Sequence, residues 1–142
     1  MSARALALRA LASLVIVVAL VAAGIARLAR VPRPEREVVA RYASGEVSHE
    51  RVSLAGRTLG YGLYCAGREV FARTGTRPLA VFEARAGERS YVVAGDGDRA
   101  LVLNVDGCEA RVRASVGALR TVTADAEGLT ITGSQSTFHA GF

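Results

Sequence analysis

Two histidines, two cysteines and thirteen acidic residues are all that this 142-residue chain offers for a metal site or an acid–base pair. His49-Glu50 begins as a metalloprotease helix motif would, with an imidazole for zinc and a carboxylate to activate water. The second histidine is missing from that frame, because His49-Glu50-Arg51-Val52-Ser53 ends on a hydroxyl. A zinc site built instead from His49, His139, Cys65 and Cys108 would draw ligands from four distant places. His49 is therefore expected on the solvated face of a strand beside Ser48 and Glu50, and His139 in a loose tail. Gly95-Asp96-Gly97-Asp98 gathers two carboxylates, as a calcium loop does. Such a loop closes on a glutamate at its twelfth position. Counting from Asp96, that position is Gly107. Ordinary hairpin-turn chemistry accounts for the four residues instead.

Other catalytic frames fail in the same way. No G-x-S-x-G nucleophile elbow occurs. Gly75-Thr76-Arg77-Pro78 has no lysine for a phosphate loop, and Gly60-Tyr61-Gly62 lacks the third glycine of a dinucleotide motif. Glu83 and Glu88 flank a turn, where solvent accounts for both. The expectation is a non-enzymatic protein with no catalytic residue, metal, cofactor or identifiable small-molecule ligand.

Cys65 and Cys108 fall on strand faces that alternation turns inward. A bridge between them is expected to be structural. Closing a loop of that length stabilises a fold by roughly 4 kcal/mol in the chain-entropy account. Two separate buried thiols are the alternative. A redox-catalytic pair is not expected, since no C-x-x-C is present and neither cysteine opens a helix.

These side chains need strands to hold them. Gly45, Gly56, Gly67, Gly75, Gly87, Gly95, Gly107, Gly117 and Gly128 recur at short, regular intervals between runs rich in Val, Leu, Thr and Tyr. That punctuation marks an all-β fold. Within Thr58–Cys65, alternation groups Leu59, Tyr61, Leu63 and Cys65; within Cys108–Val116 it groups Cys108, Ala110, Val112, Ala114 and Val116. Leu101, Leu103 and Val105 form a third such set, and Asp106-Gly107 reads as a tight hairpin turn. The expected body, residues 38–142, is a small antiparallel meander, sandwich or barrel of about seven to nine short strands. Its tail, 133–142, is expected to fray.

Ahead of it lie a short basic tail (1–9), an uncharged run (10–26, ALASLVIVVALVAAGIA) and an Arg/Pro linker (27–37). As a helix the run spans about 25 Å, the lower end of what a bilayer core requires. A retained single-pass signal-anchor in membrane lipid is expected. The apolar run is longer than a usual signal core, and Arg27, Arg30, Arg33 and Arg36 follow at once. Cleavage after small residues such as Val21-Ala22-Ala23 is the alternative. The side is contested. The arginines after the run favour a cytoplasmic body, whereas a cysteine pair in a small β domain favours an oxidising compartment. The reading adopted is a bacterial inner-membrane protein with an extracytoplasmic β domain.

The net charge of +5 reflects arginines at the membrane segment. From Pro34 onward Arg and acidic residues balance, so the domain lacks the basic patch that nucleic acid demands. Trp is absent, and no aromatic stacking platform is in view. What remains is an anchored interaction or structural component of an envelope assembly, with another membrane or envelope protein as its partner. The alternatives are a released periplasmic binding or inhibitor protein and a cytoplasm-facing regulatory domain. Tyr64-Cys65-Ala66-Gly67 followed by a distant Cys108 resembles periplasmic lysozyme inhibitors over a small part of the chain. The Trp and Ser-Gly-x-x-Tyr elements of that family are missing from this chain.

Overall fold

The uncharged run lies inside a longer helix. In the computed structural model, which describes residues 3–141 except the side chain of Val112, α1 extends over Ala3–Ala29. Met1 and Ser2 of the basic tail, Phe142 of the C-terminal tail and the inward placement expected for Val112 lie outside the described residues. Alanine and leucine dominate α1 and favour helix. It ends as Arg30 and Val31 donate to the carbonyls of Arg27 and Leu28, a tightened last turn, before Pro32. None of its residues is buried, and Leu, Val and Ile side chains face outward all round. It is the one described helix long and apolar enough to cross a membrane; a signal sequence meets the same description.

The second unit, Pro34–Phe142, is all β. Among the described residues it has eleven strands in three antiparallel sheets. The first sheet holds β1 (Glu35–Tyr42), β2 (Val47–Leu54), β3 (Arg57–Cys65) and β4 (Arg68–Thr74) in sequence order. The second holds β5 (Ala80–Ala86), β6 (Arg89–Asp96), β7 (Arg99–Asn104) and β8 (Glu109–Ser115). The third orders β11 (Thr137–Gly141), β10 (Gly128–Gly133) and β9 (Leu119–Ala124).

The count exceeds the expected seven to nine because strands form at both ends of the body. β1 begins at Glu35, within the stretch read as linker, so residues 30–34 alone separate it from α1. Cross-strand pairing with β2 draws the charged Glu35-Arg36-Glu37 into the sheet. At the other end β11 pairs with β10 from Thr137 to Gly141. The preceding turn is tied by Ser134 N–H to Ala118 O at 2.9 Å and Gln135 N–H to Val116 O at 3.0 Å. The tail is held by backbone donors that composition does not reveal.

Hydrophobic clusters lie on either side of the second sheet. On one side Val92, Ala94, Leu103 and Val105 meet Val47, Tyr61, Leu63 and Cys65 of the first sheet. On the other, Tyr91, Val93, Ala100, Val102 and Ala114 meet Leu129 and Ile131 of the third. The second sheet is therefore the central layer. Its inner strands read as continuous apolar runs, Tyr91-Val92-Val93-Ala94 and Ala100-Leu101-Val102-Leu103, as strands covered on both faces should.

Cys65 ends β3, and Cys108 sits in the turn before β8 with φ +51°. They are joined in a disulfide, with Cα atoms 5.6 Å apart, that ties the first layer to the second. Cys108 thus stands outside the strand in which alternation had placed it. The turn at Asp106-Gly107 is also longer than a two-residue hairpin, running from Val105 to Cys108. Asn104 Oδ1 accepts from Asp106 N–H at 3.2 Å, and Val105 O accepts from Cys108 N–H at 3.2 Å. Those local bonds favour the wider loop.

Candidate functional site

The first sheet has an outer face that neither other layer covers, and its floor is made by glycines. Gly60 and Gly62 stand on the same side of β3, two residues apart. A Cβ at Gly60 would run into the carbonyl oxygen of Arg73 on β4. At Gly62 it would lie 3.0 Å from Cε2 of Tyr64 and 3.1 Å from the Phe71 carbonyl. Gly62 thereby lets the Tyr64 ring lie against the sheet rather than stand up from it, and Tyr64 is buried on this face together with Ser48.

Polar side chains frame that ring. Arg36 of β1 places its guanidinium 4.6 Å from the Tyr64 ring centre, a cation–π contact. Arg36 Nε also lies 3.6 Å from Glu50 Oε2, and the Ser48 hydroxyl donates to Glu50 Oε1 at 2.7 Å. The Tyr64 hydroxyl donates to Glu69 Oε2 at 3.4 Å, a long bond. Register makes this network. Arg36 pairs with Val52, Ser48 with Tyr64, and Glu50 with Gly62, so all project to one face.

Beside the network runs a groove of about 480 Å³, whose walls include Pro34, Val52, Leu59, Gly60, Tyr64 and Thr74. Leu59 is 42% exposed; with Val38 at 41% and Val39 at 50%, it belongs to the large apolar side chains that the domain leaves open, which among the described residues all lie in the first sheet. The groove can receive an apolar group and offer hydrogen bonds at its rim. A wider and more polar depression of about 1000 Å³ lies elsewhere, bordered by Arg85, Arg89, Asp106 and Asp125. Its charges are of both signs, Arg85 and Arg89 on β5 and β6 and Asp106 and Asp125 in the connections after β7 and β9.

The inner face of the same sheet holds the residue most at odds with its expected place. His49 is 3% exposed, not solvated. It stands directly across from Leu63 on β3, and Val47 on its own strand stands across from Cys65, so the core claims all four. Alternation from Val47 carries that placement; the polar neighbours Ser48 and Glu50 belong to the opposite face. The imidazole packs 5.5 Å from the Tyr61 ring centre, and burial holds its pKa below the ordinary histidine value. His139 is on β11, where its Nδ1 lies 3.0 Å from the Thr130 hydroxyl.

The remaining chemical candidates stay apart. Gly97-Asp98 is the β6–β7 turn, with Gly97 at φ +63°, and Asp96 lies 3.6 Å from Arg73 Nη1. Among the described residues no three His, Cys, Asp or Glu side chains converge as metal ligands. Glu83 and Glu88 fall on β5 and the turn after it. Sequence reasoning had weighed Gly60-Tyr61-Gly62 only as a failed dinucleotide motif and missed the groove; two small residues spaced for one strand face were its signal. Compared with protein-family models, curated proteins and solved structures, the chain matches none.

Proposed function

We propose that this chain is a single-pass membrane protein whose β domain binds another envelope protein through the outer face of its first sheet, without catalysing a reaction. The observation that carries the reading is the groove over Gly60 and Tyr64. Its walls are largely apolar, and the charges that line it are engaged: Arg36 with Glu50 at 3.6 Å, Arg73 with Asp96 at 3.6 Å, and Glu69 with the Tyr64 hydroxyl. Such a surface suits a side chain from a partner segment, with the rim setting orientation. The free edge of β1 lies next to it, where a partner strand can add. Tethering by α1 raises the local concentration of membrane-bound partners, so a small interface suffices.

The disulfide supports an extracytoplasmic domain, in a bacterial inner-membrane setting, against the arginine count. A photoreactive residue at Leu59 in the full-length protein, activated in intact membranes, is expected to trap a discrete protein. Adding Leu59→Arg or Gly62→Arg to a probe moved to Val52 is expected to abolish that adduct. Adducts only with lipid, or adducts indifferent to these changes, would overturn the reading. The apolar helix also fits a cleaved signal, which favours a released binding protein. A mature N-terminus near Gly24 or Arg27 would establish that version.

A further inference from the structure

Two buried nitrogens on the inner face of the first sheet have no hydrogen-bond partner: His49 Nε2 and Arg51 Nε. They belong to one strand, two residues apart, and so project to the same side. Cross-strand neighbours flank both nitrogens, and beyond its buried Nε the Arg51 side chain reaches solvent, 43% exposed. Across from His49 stand Ala40 on β1 and Leu63 on β3; across from Arg51 stand Glu37 and Tyr61. The Arg51 guanidinium bonds the Glu37 carboxylate through Nη2, which leaves its Nε unsatisfied.

We propose that His49 is a proton sensor in the first sheet: taking up a proton beside Arg51 loosens β1 and β2 from the central layer while the other two sheets stay closed. The reason is that among the described residues no group hydrogen-bonds His49 Nε2 to accept the new charge. Arg51 contributes a like charge on the same face of β2. From β3 the polar neighbour is Tyr61, a neutral phenol. From β1 come Glu37, already engaged by Arg51, and Tyr42, which packs against the same core cluster. From β5 comes Glu83, an exposed carboxylate whose charge helps raise the pKa of Tyr42. None of these gives Nε2 a hydrogen bond. Burying an unpaired charge is among the most destabilising events a core can undergo.

The effect is local by construction. His49 borders the cluster between the first and second sheets, whereas the cluster between the second and third contains no histidine. His139, on β11, is not buried. The inference needs no assumption about what the outer groove holds. It does couple to it, because β2 carries Ser48 and Glu50 on its other face.

The direction with pH follows from where the proton binds. The folded sheet holds His49 below its ordinary value, and the opened sheet restores a value near 6.5. Protons therefore favour opening. The closed sheet is fully favoured above about pH 6.5 and loses ground as pH falls below it. Between pH 7.5 and 5.5 the open fraction should rise severalfold, with about tenfold as the ceiling set by an open-state value near 6.5.

Hydrogen exchange of the full-length protein in micelles, corrected for the intrinsic pH dependence of exchange, reads this directly. Amides of β1 and β2 are expected to lose protection severalfold, up to about tenfold, at pH 5.5, while β6 and β7 keep theirs. His49→Phe, which keeps a ring in place without a titrating nitrogen, is expected to abolish the change, and His139→Gln to leave it intact. Equal acid sensitivity in His49→Phe, or loss of the effect in His139→Gln, would overturn the proposal. Should His49→Phe not fold, NMR titration of the His49 imidazole decides: a value at or above the ordinary one overturns the proposal, and a depressed one supports it.

Discussion

Gly60 and Gly62 look interchangeable in the chain and are not. The added carbon of Gly60→Ala meets backbone, the Arg73 carbonyl of a paired strand, which can move only if β4 moves. Overpacking of that kind costs about 2–3 kcal/mol. Gly62→Ala meets the Tyr64 ring at 3.0 Å and the Phe71 carbonyl at 3.1 Å, contacts that a shift of a few tenths of an ångström relieves. A strand alanine also regains something over glycine, so the net cost should be about 1 kcal/mol or less. Urea unfolding of the two variants in micelles should rank them in that order; equal losses would mean β4 shifts as freely as the Tyr64 ring. At this scale the chain was partly legible. Cys65 and Cys108 stood out by scarcity, whereas His49 was misplaced because its flanking polar residues outweighed its alternation with Val47.

Turns carry the next level of information. Ala55-Gly56 joins β2 to β3, and Ala66-Gly67 joins β3 to β4. Both positions of each turn have positive φ: 49° and 78° in the first, 48° and 77° in the second. That is the type I′ geometry whose twist matches a hairpin and whose preferred first residue is asparagine. Alanine there holds a left-handed conformation at roughly 1 kcal/mol. Ala55→Asn and Ala66→Asn should each raise stability by about 0.5–1 kcal/mol, read as a higher midpoint in urea. No gain from either would mean the sheets, not the turns, set the strand register. Glycine spacing made most strands visible, since a turn needs a residue tolerant of positive φ wherever it falls. Alternation was weaker where burial was two-sided. Leu101, Leu103 and Val105 were grouped as one face of a half-buried strand, yet Ala100 and Val102 are equally enclosed. Periodicity carries no face information once both faces are apolar. β1 escaped notice because its first residues are charged and follow two prolines.

Across the whole domain, a shared apolar cluster and the short β4–β5 connection join the first layer to the second, and among the described residues the disulfide is the one cross-link between them. Its position assigns it a specific burden. The four strands of the first sheet contribute one side of a single cluster, while the central sheet is packed on both faces. Cutting the bridge should therefore weaken the first layer before the other two. Cys65→Ser with Cys108→Ser should lower unfolding free energy by about 4 kcal/mol in the loop-closure account, with the single variants leaving a partnerless thiol and giving no cleaner test. The loss should not be uniform. Amide protection in β2 and β3 should fall most, and that in β6, β7 and β10 least, because the cluster containing Val93, Val102 and Ile131 does not touch the bridge. A loss below 1 kcal/mol would show that side-chain packing alone fastens the first sheet to the core. A loss spread evenly over all eleven strands would show that the three sheets unfold as one unit.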